Sequence, residues 1–328
     1  MVTIKDIARY ADVSIATVSR YLNHKLSVKP ETEAKIQEAI RELNYVPNIV
    51  AQSLKANRTN NVAVVIPNIH ALYYAEITSG ISSVLSGYDY NLFIFEVDYI
   101  RKDDEEILKS LQENRIAGAI FVSLSFDERF YKSLDILLDV GVPVVYANRP
   151  LPYQGIPLVY PDFALCGKLA ASHLLEKGRT RLGLVHSLSE NSGLYRMHVE
   201  SFSEPLKKAG LAAPGIISSP LDADPSESCL KMIEDGNYDG LFVLNELMAS
   251  KLSRSLQYRG YRIPDDISVL GFGNSVASEI TTPALSCINL QNYNLGIESA
   301  RKIMAKIMEE TFEPVTVLEP YIIQRAST

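Results

Sequence analysis

The chain has 328 residues, of which 47% are hydrophobic and 22% charged, and its formal net charge is −7. This is ordinary globular composition, and it excludes a disordered chain, a collagen-like repeat and a membrane bundle. The length predicts about two or three domains, and no apolar run approaches the ~20 residues that span a bilayer.

The opening Met1-Val2-Thr3-Ile4-Lys5-Asp6 carries charge where a secretory signal needs an apolar stretch, so a cytoplasmic protein is expected. Cys166, Cys229 and Cys287 are odd in number and widely spaced, with no CxxC, which argues against a disulfide framework or zinc. HxxxH and GxSxG are both missing, so no catalytic residue, metal or cofactor is expected. The charge is uneven: residues 1–60 carry nine Lys and Arg against six acids, net +3, and the remainder is −10. Such a head can approach a polyanion while the body is held off.

In chain order, Thr3 caps a first helix, with Asp6 as an acidic partner in the first turn and Ile4, Ile7 and Ala8 on one side. Tyr10-Ala11-Asp12-Val13 is a tight turn. Ser14 caps a second helix running through Asn23, with Val18 and Leu22 facing inward. A third helix starts near Pro30-Glu31 and carries the stripe Ile36, Ala39, Ile40, Leu43. Three short helices around so small a core form a helix-turn-helix layout, which sets the second helix into a DNA major groove.

Thr3-Ile4-Lys5-Asp6-Ile7-Ala8, Val13 through Asn23, and Leu43-Asn44-Tyr45-Val46-Pro47-Asn48 resemble the head of the lactose/galactose repressor (LacI/GalR) family, densely and without a break over about 55 residues. The resemblance implies a transcriptional repressor that binds a pseudo-palindromic operator in double-stranded DNA as a homodimer. Arg20 offers a five-donor fork that fits O6 and N7 of a guanine, or else clamps a phosphate. Ile15 and Ala16 resemble the family's variable base readers. Lacking polar atoms, they touch thymine methyls or exclude bulk. Thr3, Ser14, Thr17, Ser19 and Asn23 suit phosphates, which position the head without reading sequence; Thr3 and Ser14 serve equally well as caps alone.

The segment from Asn48 to Ala56 has a cap in Asn48 and an apolar pair in Val50 and Leu54. It is shorter than the ~12–15 residues at which isolated helices become marginal, so it is expected to form only against a partner and DNA. The resemblance makes it the hinge helix, with Asn48 at its start and Leu54 as the wedge entering the minor groove. Gln52 stands where many members carry Arg.

Beyond residue 60, apolar runs alternate with helical stretches: Val62–Ile66, Asn91–Phe95, Ala119–Val122, Val144–Ala147, Leu182–Val185, Leu241–Leu244 and Ile267–Phe272. Ile77, Ile81, Val84 and Leu85 stripe the first intervening helix. This pattern predicts an α/β body of parallel sheets buried on both faces, too long for one sheet and therefore two Rossmann-like lobes. Pro264 through Phe272 and Leu290-Gln291 with Leu295-Gly296 resemble landmarks of the family's periplasmic-binding-protein-like body. The expected organisation is a head over 1–46 and a hinge and linker over 47–60. An N-terminal lobe follows over 61–160 plus 288–317, and a C-terminal lobe over 161–287 plus 318–328. No heptad tail follows Tyr321-Ile322-Ile323, so a tetramer is not expected.

Ligands of such folds sit between the lobes, at the C-terminal ends of strands. Tyr73, Tyr74, Asn148, Arg149, Ser192, Arg196, Asn245, Glu246, Gly273, Gln291 and Tyr293 lie at those ends or at a crossover. The resemblance assigns Arg196 to gripping the effector and matches Asn245 and Gln291 as well. Gly273 replaces a typical aspartate, and Asn148 stands where many members have one. With Arg149 and Arg196 retained, that loss predicts an effector of acceptor or anionic character, a sugar phosphate rather than a plain pentose or purine base. The effector would change the lobe angle and, through it, the pairing of the hinge helices.

Two other readings are weaker. Gly271-Phe272-Gly273-Asn274-Ser275-Val276 approaches GxGxxG, but Val276 holds the third Gly position and the motif lies late in the chain. A free solute-binding protein fits the body and leaves the head unexplained.

Overall fold

A computed structural model describes residues 2–22, 28–45, 59–97, 104–122, 128–150, 155–190, 192–219 and 224–328. Asn23, Asn48, Leu54 and the expected hinge helix lie outside these residues. The chain divides into two units, Met1–Thr59 and Asn60–Thr328.

The first unit holds α1 (Ile4–Tyr10), α2 (Ile15–Leu22) and α3 (Pro30–Glu42). Thr3 and Asp6 form a capping box, the Thr3 amide donating to the Asp6 carboxylate at 2.9 Å and the Thr3 hydroxyl at 2.7 Å. Ser14 accepts from the Thr17 amide at 3.1 Å. Pro30 occupies the first turn of α3. Ile7, Ala8, Ala11, Val18, Ile36 and Ala39 make the buried core.

The second unit has two six-stranded sheets. The N-lobe sheet contains β1 (Asn61–Ile66), β2 (Asn91–Glu96), β3 (Gly118–Val122), β4 (Val144–Ala147), β5 (Leu158–Pro161) and β11 (Val315–Leu318), in the order β11-β5-β4-β3-β1-β2. The C-lobe sheet contains β6 (Leu182–His186), β7 (Gly215–Ser218), β8 (Gly240–Val243), β9 (Ser268–Phe272), β10 (Ser286–Asn289) and β12 (Tyr321–Ile323), in the order β12-β10-β9-β8-β6-β7. All pairings are parallel except β10 with β12. Both lobes share one doubly wound order, and its reversal places a crevice outside the carboxyl ends of β1 and β3 and of β6 and β8.

The connecting helices are α4 (Leu72–Ser86), α5 (Asp104–Glu113), α6 (Glu128–Asp139), α7 (Phe163–Glu176), α8 (Gly193–Lys208), α9 (Glu227–Asp235), α10 (Glu246–Tyr258), α11 (Val276–Ile280) and α12 (Asn292–Met308). They cover both sheet faces. In β1, Val62, Val64 and Ile66 enter one core while Ala63 and Val65 enter the other. In β8, Leu241 and Val243 face one core and Phe242 the opposite one.

Two elements depart from the sequence reading. β2 is an edge strand with Phe93 and Ile94 exposed, because it pairs with β1 alone. β10 stays paired with β9 as far as Ile288, opposite Phe272, so the C-lobe sheet runs past residue 287. The chain passes between lobes after Pro161, after Asn289 and after Leu318. These crossovers are stitched together: the Asp162 amide donates to the Leu318 carbonyl at 2.9 Å, and Gln291 Nε2 to the Glu319 carbonyl at 2.7 Å.

Candidate functional site

On the head, α2 turns Val18 into the core and leaves Ile15, Ala16 and Arg20 exposed. Ile15 is 47% exposed, an unusual setting for an isoleucine in so small a unit. Arg20 has no side-chain partner among the described residues, whereas Arg9 is held 3.6 Å from Asp6. The Ser14 and Thr17 hydroxyls share a 2.8 Å hydrogen bond, and Ser19 is half-buried. The face thus presents an apolar patch, a guanidinium and short hydroxyls. Asp6 is held below the usual carboxylate range, chiefly by the Thr3 hydroxyl and amide, so the first-turn charge persists in mild acid.

In the second unit the expected residues lie at or near strand ends and crossovers. Tyr73 and Tyr74 open α4 with ring centroids 3.9 Å apart, but Tyr74 is buried in the N-lobe core. Asn148 is buried with a left-handed backbone, φ 74°, and Arg149 beside it is half-buried with no side-chain partner among the described residues. Ser192 and Asn245 are helix caps: Ser192 accepts from the Tyr195 amide at 3.1 Å and Asn245 from the Met248 amide at 3.0 Å. Gln291 sits at a crossover with φ 58°, and Tyr293 is exposed on α12.

Arg196 is exposed in the first turns of α8, and His198, two positions on, is buried. Two residues rotate a helix by about 200°, so these side chains occupy opposite faces. The His198 ring meets the edges of Phe163, first residue after a crossover, and Phe272, last residue of β9, at centroid distances of 5.7 and 5.2 Å. Burial holds its pKa down at about 4, so this imidazole is neutral. Phe163, His198 and Phe272 escaped the sequence reading. The signal available was Phe272 preceding Gly273 at a strand end.

The charge beside Gly273 comes from another element. Gly273 has φ +102°, which a side chain rarely adopts, and a Cβ built there lies 3.7 Å from the Glu246 carboxylate. The crevice therefore keeps an acid at this point although Gly273 supplies none. Glu246 Oε2 accepts from the Ser275 amide at 2.7 Å and the Ser278 hydroxyl at 2.9 Å. Cys287 Sγ donates to that hydroxyl at 3.2 Å, and burial pushes the thiol up to about 11, leaving it unreactive. Across the crevice, Asn292 Nδ2 donates to Glu76 at 2.9 Å. Burial first, and the charge of Glu246 in addition, raise the Glu76 carboxyl above its usual range. Neither Glu76 nor Asn292 was singled out from sequence, because 216 positions separate them.

Among the described residues, no group of His, Cys, Asp and Glu could hold a metal, and no helix is long and apolar enough to cross a membrane.

Comparison with known proteins places these features. Residues 3–48 match the family described as bacterial regulatory proteins, lacI family, and residues 171–328 match the periplasmic binding protein-like domain. Catabolite control protein A of Priestia megaterium is 30% identical over 332 residues, covering 100% of this chain and 99% of that protein. The HTH-type transcriptional regulator RegA of Clostridium saccharobutylicum is 29% identical, covering 99% of both chains. Among solved structures, the transcriptional regulator CelR in complex with cellobiose is 27% identical with a TM-score of 0.71, each chain covered to 100%. The Lac repressor bound to ONPG shares the fold, with a TM-score of 0.83 at 22% identity, over 100% of this chain and 99% of that one. These relatives are transcriptional regulators, not enzymes. A DNA-binding head joined to a periplasmic-binding-protein-like effector domain is a transcriptional regulator's layout, and the chain belongs to the lacI family of bacterial regulatory proteins.

Proposed function

We propose that this regulator is a repressor that binds a pseudo-palindromic operator as a homodimer and releases or tightens its hold when a sugar or sugar phosphate enters the crevice between the lobes. The observation that carries the DNA half is the outward face of α2, where Ile15, Ala16 and Arg20 stand exposed beside a buried Val18. In this reading Arg20 reads a guanine, Ile15 and Ala16 meet thymine methyls, and Thr3, Ser14, Thr17, Ser19 and Asn23 take phosphates. Asn48 and Leu54 serve the hinge helix, with Leu54 as the minor-groove wedge.

Exposed apolar side chains support pairing. Ile69, Leu72, Phe93 and Ile94 cluster around α4 and β2, while Val276 and Ile280 stand out from α11. The effector half rests on Tyr73, Tyr74, Asn148, Arg149, Ser192, Arg196, Asn245, Glu246, Gly273, Gln291 and Tyr293, which lie at strand ends or at a crossover. The protein acts in the cytoplasm, where its DNA is. A coupling of about 1–3 kcal/mol between effector and operator is enough for roughly 5–150-fold regulation.

The test is a gel-shift assay on DNA from the chain's own promoter region, followed by genomic mapping of bound sites with and without sugars. Selective retention that changes with one sugar supports the reading. Retention of no fragment at modest ionic strength, with or without sugars, overturns it.

A further inference from the structure

One guanidinium closes the excursion between β9 and β10 of the C-lobe sheet. The chain leaves β9 at Phe272, runs through α11 and returns at Ser286 to open β10. Arg325, the second residue after β12, reaches three points of that path. Its Nη1 donates to the Leu285 carbonyl at 2.8 Å, and its Nη2 to Asn274 Oδ1 at 2.7 Å and to Glu279 at 3.2 Å. Asn274 and Leu285 stand at the two mouths of the excursion and Glu279 on α11, so one rigid, planar fork spans both ends and the middle. The Arg325 side chain is 14% exposed, a setting in which salt screens a charged pair less than on open surface.

The arginine is itself held in place. Its amide donates to Ser286 Oγ at 2.8 Å. Ser327, which is buried, ties both strands: its carbonyl accepts from the Val269 amide at 2.9 Å, while its hydroxyl donates to the Val269 carbonyl at 2.6 Å and accepts from the Ser286 amide at 2.8 Å. The excursion it clamps has two faces. Inward, the Ser275 amide and the Ser278 hydroxyl hold the Glu246 carboxylate. Outward, Val276 and Ile280, four residues apart on α11, stand exposed. α11 has five residues, fewer than the ~12–15 at which an isolated helix becomes marginal, so its position is set by what surrounds it.

Resting on the reading of a homodimer that pairs in part through α11, we infer that Arg325 is a positioning residue for subunit pairing: it fixes α11 so that Val276 and Ile280 meet a second copy of the chain. Charge supports that occupant. Two copies joined by a twofold axis bring the same surface against itself, so any charge on it meets its like. Glu279 is the one charged residue of α11, and Arg325 neutralises it. What remains for the partner is an apolar pair, which is self-complementary. The same clamp makes the pairing surface one body with the Ser275 and Ser278 bonds to Glu246.

The test is sedimentation equilibrium and amide hydrogen exchange on the full chain, without DNA. Arg325→Met keeps much of the side chain's length and removes the fork. It is expected to raise the dimer dissociation constant about tenfold, with faster exchange confined to residues 274–285. Adding Glu279→Gln to Arg325→Met removes the unpaired carboxylate and is expected to recover about threefold of that loss. Arg259→Met, which breaks the ion pairs to Glu227 and Glu234 in the same lobe, is expected to lower the thermal midpoint and leave pairing within about twofold. If Arg325→Met opens the whole C-lobe, Arg325→Lys decides: it keeps a charge for Glu279, loses the fork, and is expected to weaken pairing about threefold. Pairing within about twofold of the unaltered chain in the folded Arg325 variants overturns the inference, as does equal weakening by Arg259→Met or no recovery with Glu279→Gln. An unaltered chain that stays monomeric defeats the homodimer reading and this inference together, whereas a dimer indifferent to Arg325 defeats this inference alone.

Discussion

Gly80 in α4 faces the backbone carbonyl of Tyr293 in α12 so closely that a Cβ at Gly80 would stand 2.1 Å from that oxygen. Gly296 returns the contact, with a Cβ position 2.1 Å from the carbonyl oxygen of Ile77. Two helices that start at the crevice and at a crossover are thus packed backbone to backbone. Gly80→Ala must push them apart and is expected to cost about 1–3 kcal/mol, the range for an overpacked core. Thermal unfolding is the check; an unchanged midpoint would show that the two helices separate freely.

Arg20→Ala is expected to weaken operator binding by about 1–3 kcal/mol and to relax preference at one base pair. Competition gel-shifts with single-base operator variants measure both. Equal weakening on every sequence would make Arg20 a phosphate clamp.

Stability should depend on acid through His198. Its folded pKa of about 4 lies below the ordinary histidine value of 6.5, because burial penalises the charged ring. The unfolded chain therefore binds the extra proton between these values, so stability is full above pH 6.5 and falls as pH drops toward 4. The loss is of order 3 kcal/mol. His186 and His173, also lowered by burial, add in the same direction. Glu76, raised by burial, opposes them, since protonation favours its folded form. Urea midpoints measured from pH 7 to pH 4 give the slope, and His198→Phe should flatten it.

Ile94→Asp places a charge on the exposed edge strand beside Phe93. If that edge pairs two subunits, sedimentation should show a shift from dimer to monomer, with weaker operator retention. A variant that remains dimeric would move the interface elsewhere.

Much of this architecture was legible in the chain. Thr3, Ser14 and Pro30 announced the head's helices because caps are local chemistry, decided within three or four residues. The buried strands of both sheets stood out as unbroken apolar runs. Three- and four-residue strands such as Gly215–Ser218 and Tyr321–Ile323 did not, since their pairing is supplied by neighbours distant in sequence. The crevice was legible by position and less so by orientation. Ser192 and Asn245 cap the helices that follow β6 and β8, and nothing local distinguishes the exposed face of Arg196 from the buried one of His198. The Glu246 carboxylate stands beside Gly273 by tertiary folding alone, and Asn292 finds Glu76 for the same reason.

The stitched crossovers have a mechanical consequence. Three straps bonded side by side, Asp162 to Leu318 and Gln291 to Glu319, resist shear and twist, since either would stretch one strap against the others. Bending about a line through the straps is the compliant direction left. On the proposed reading, a small molecule lodged in the cleft would act on that bending coordinate.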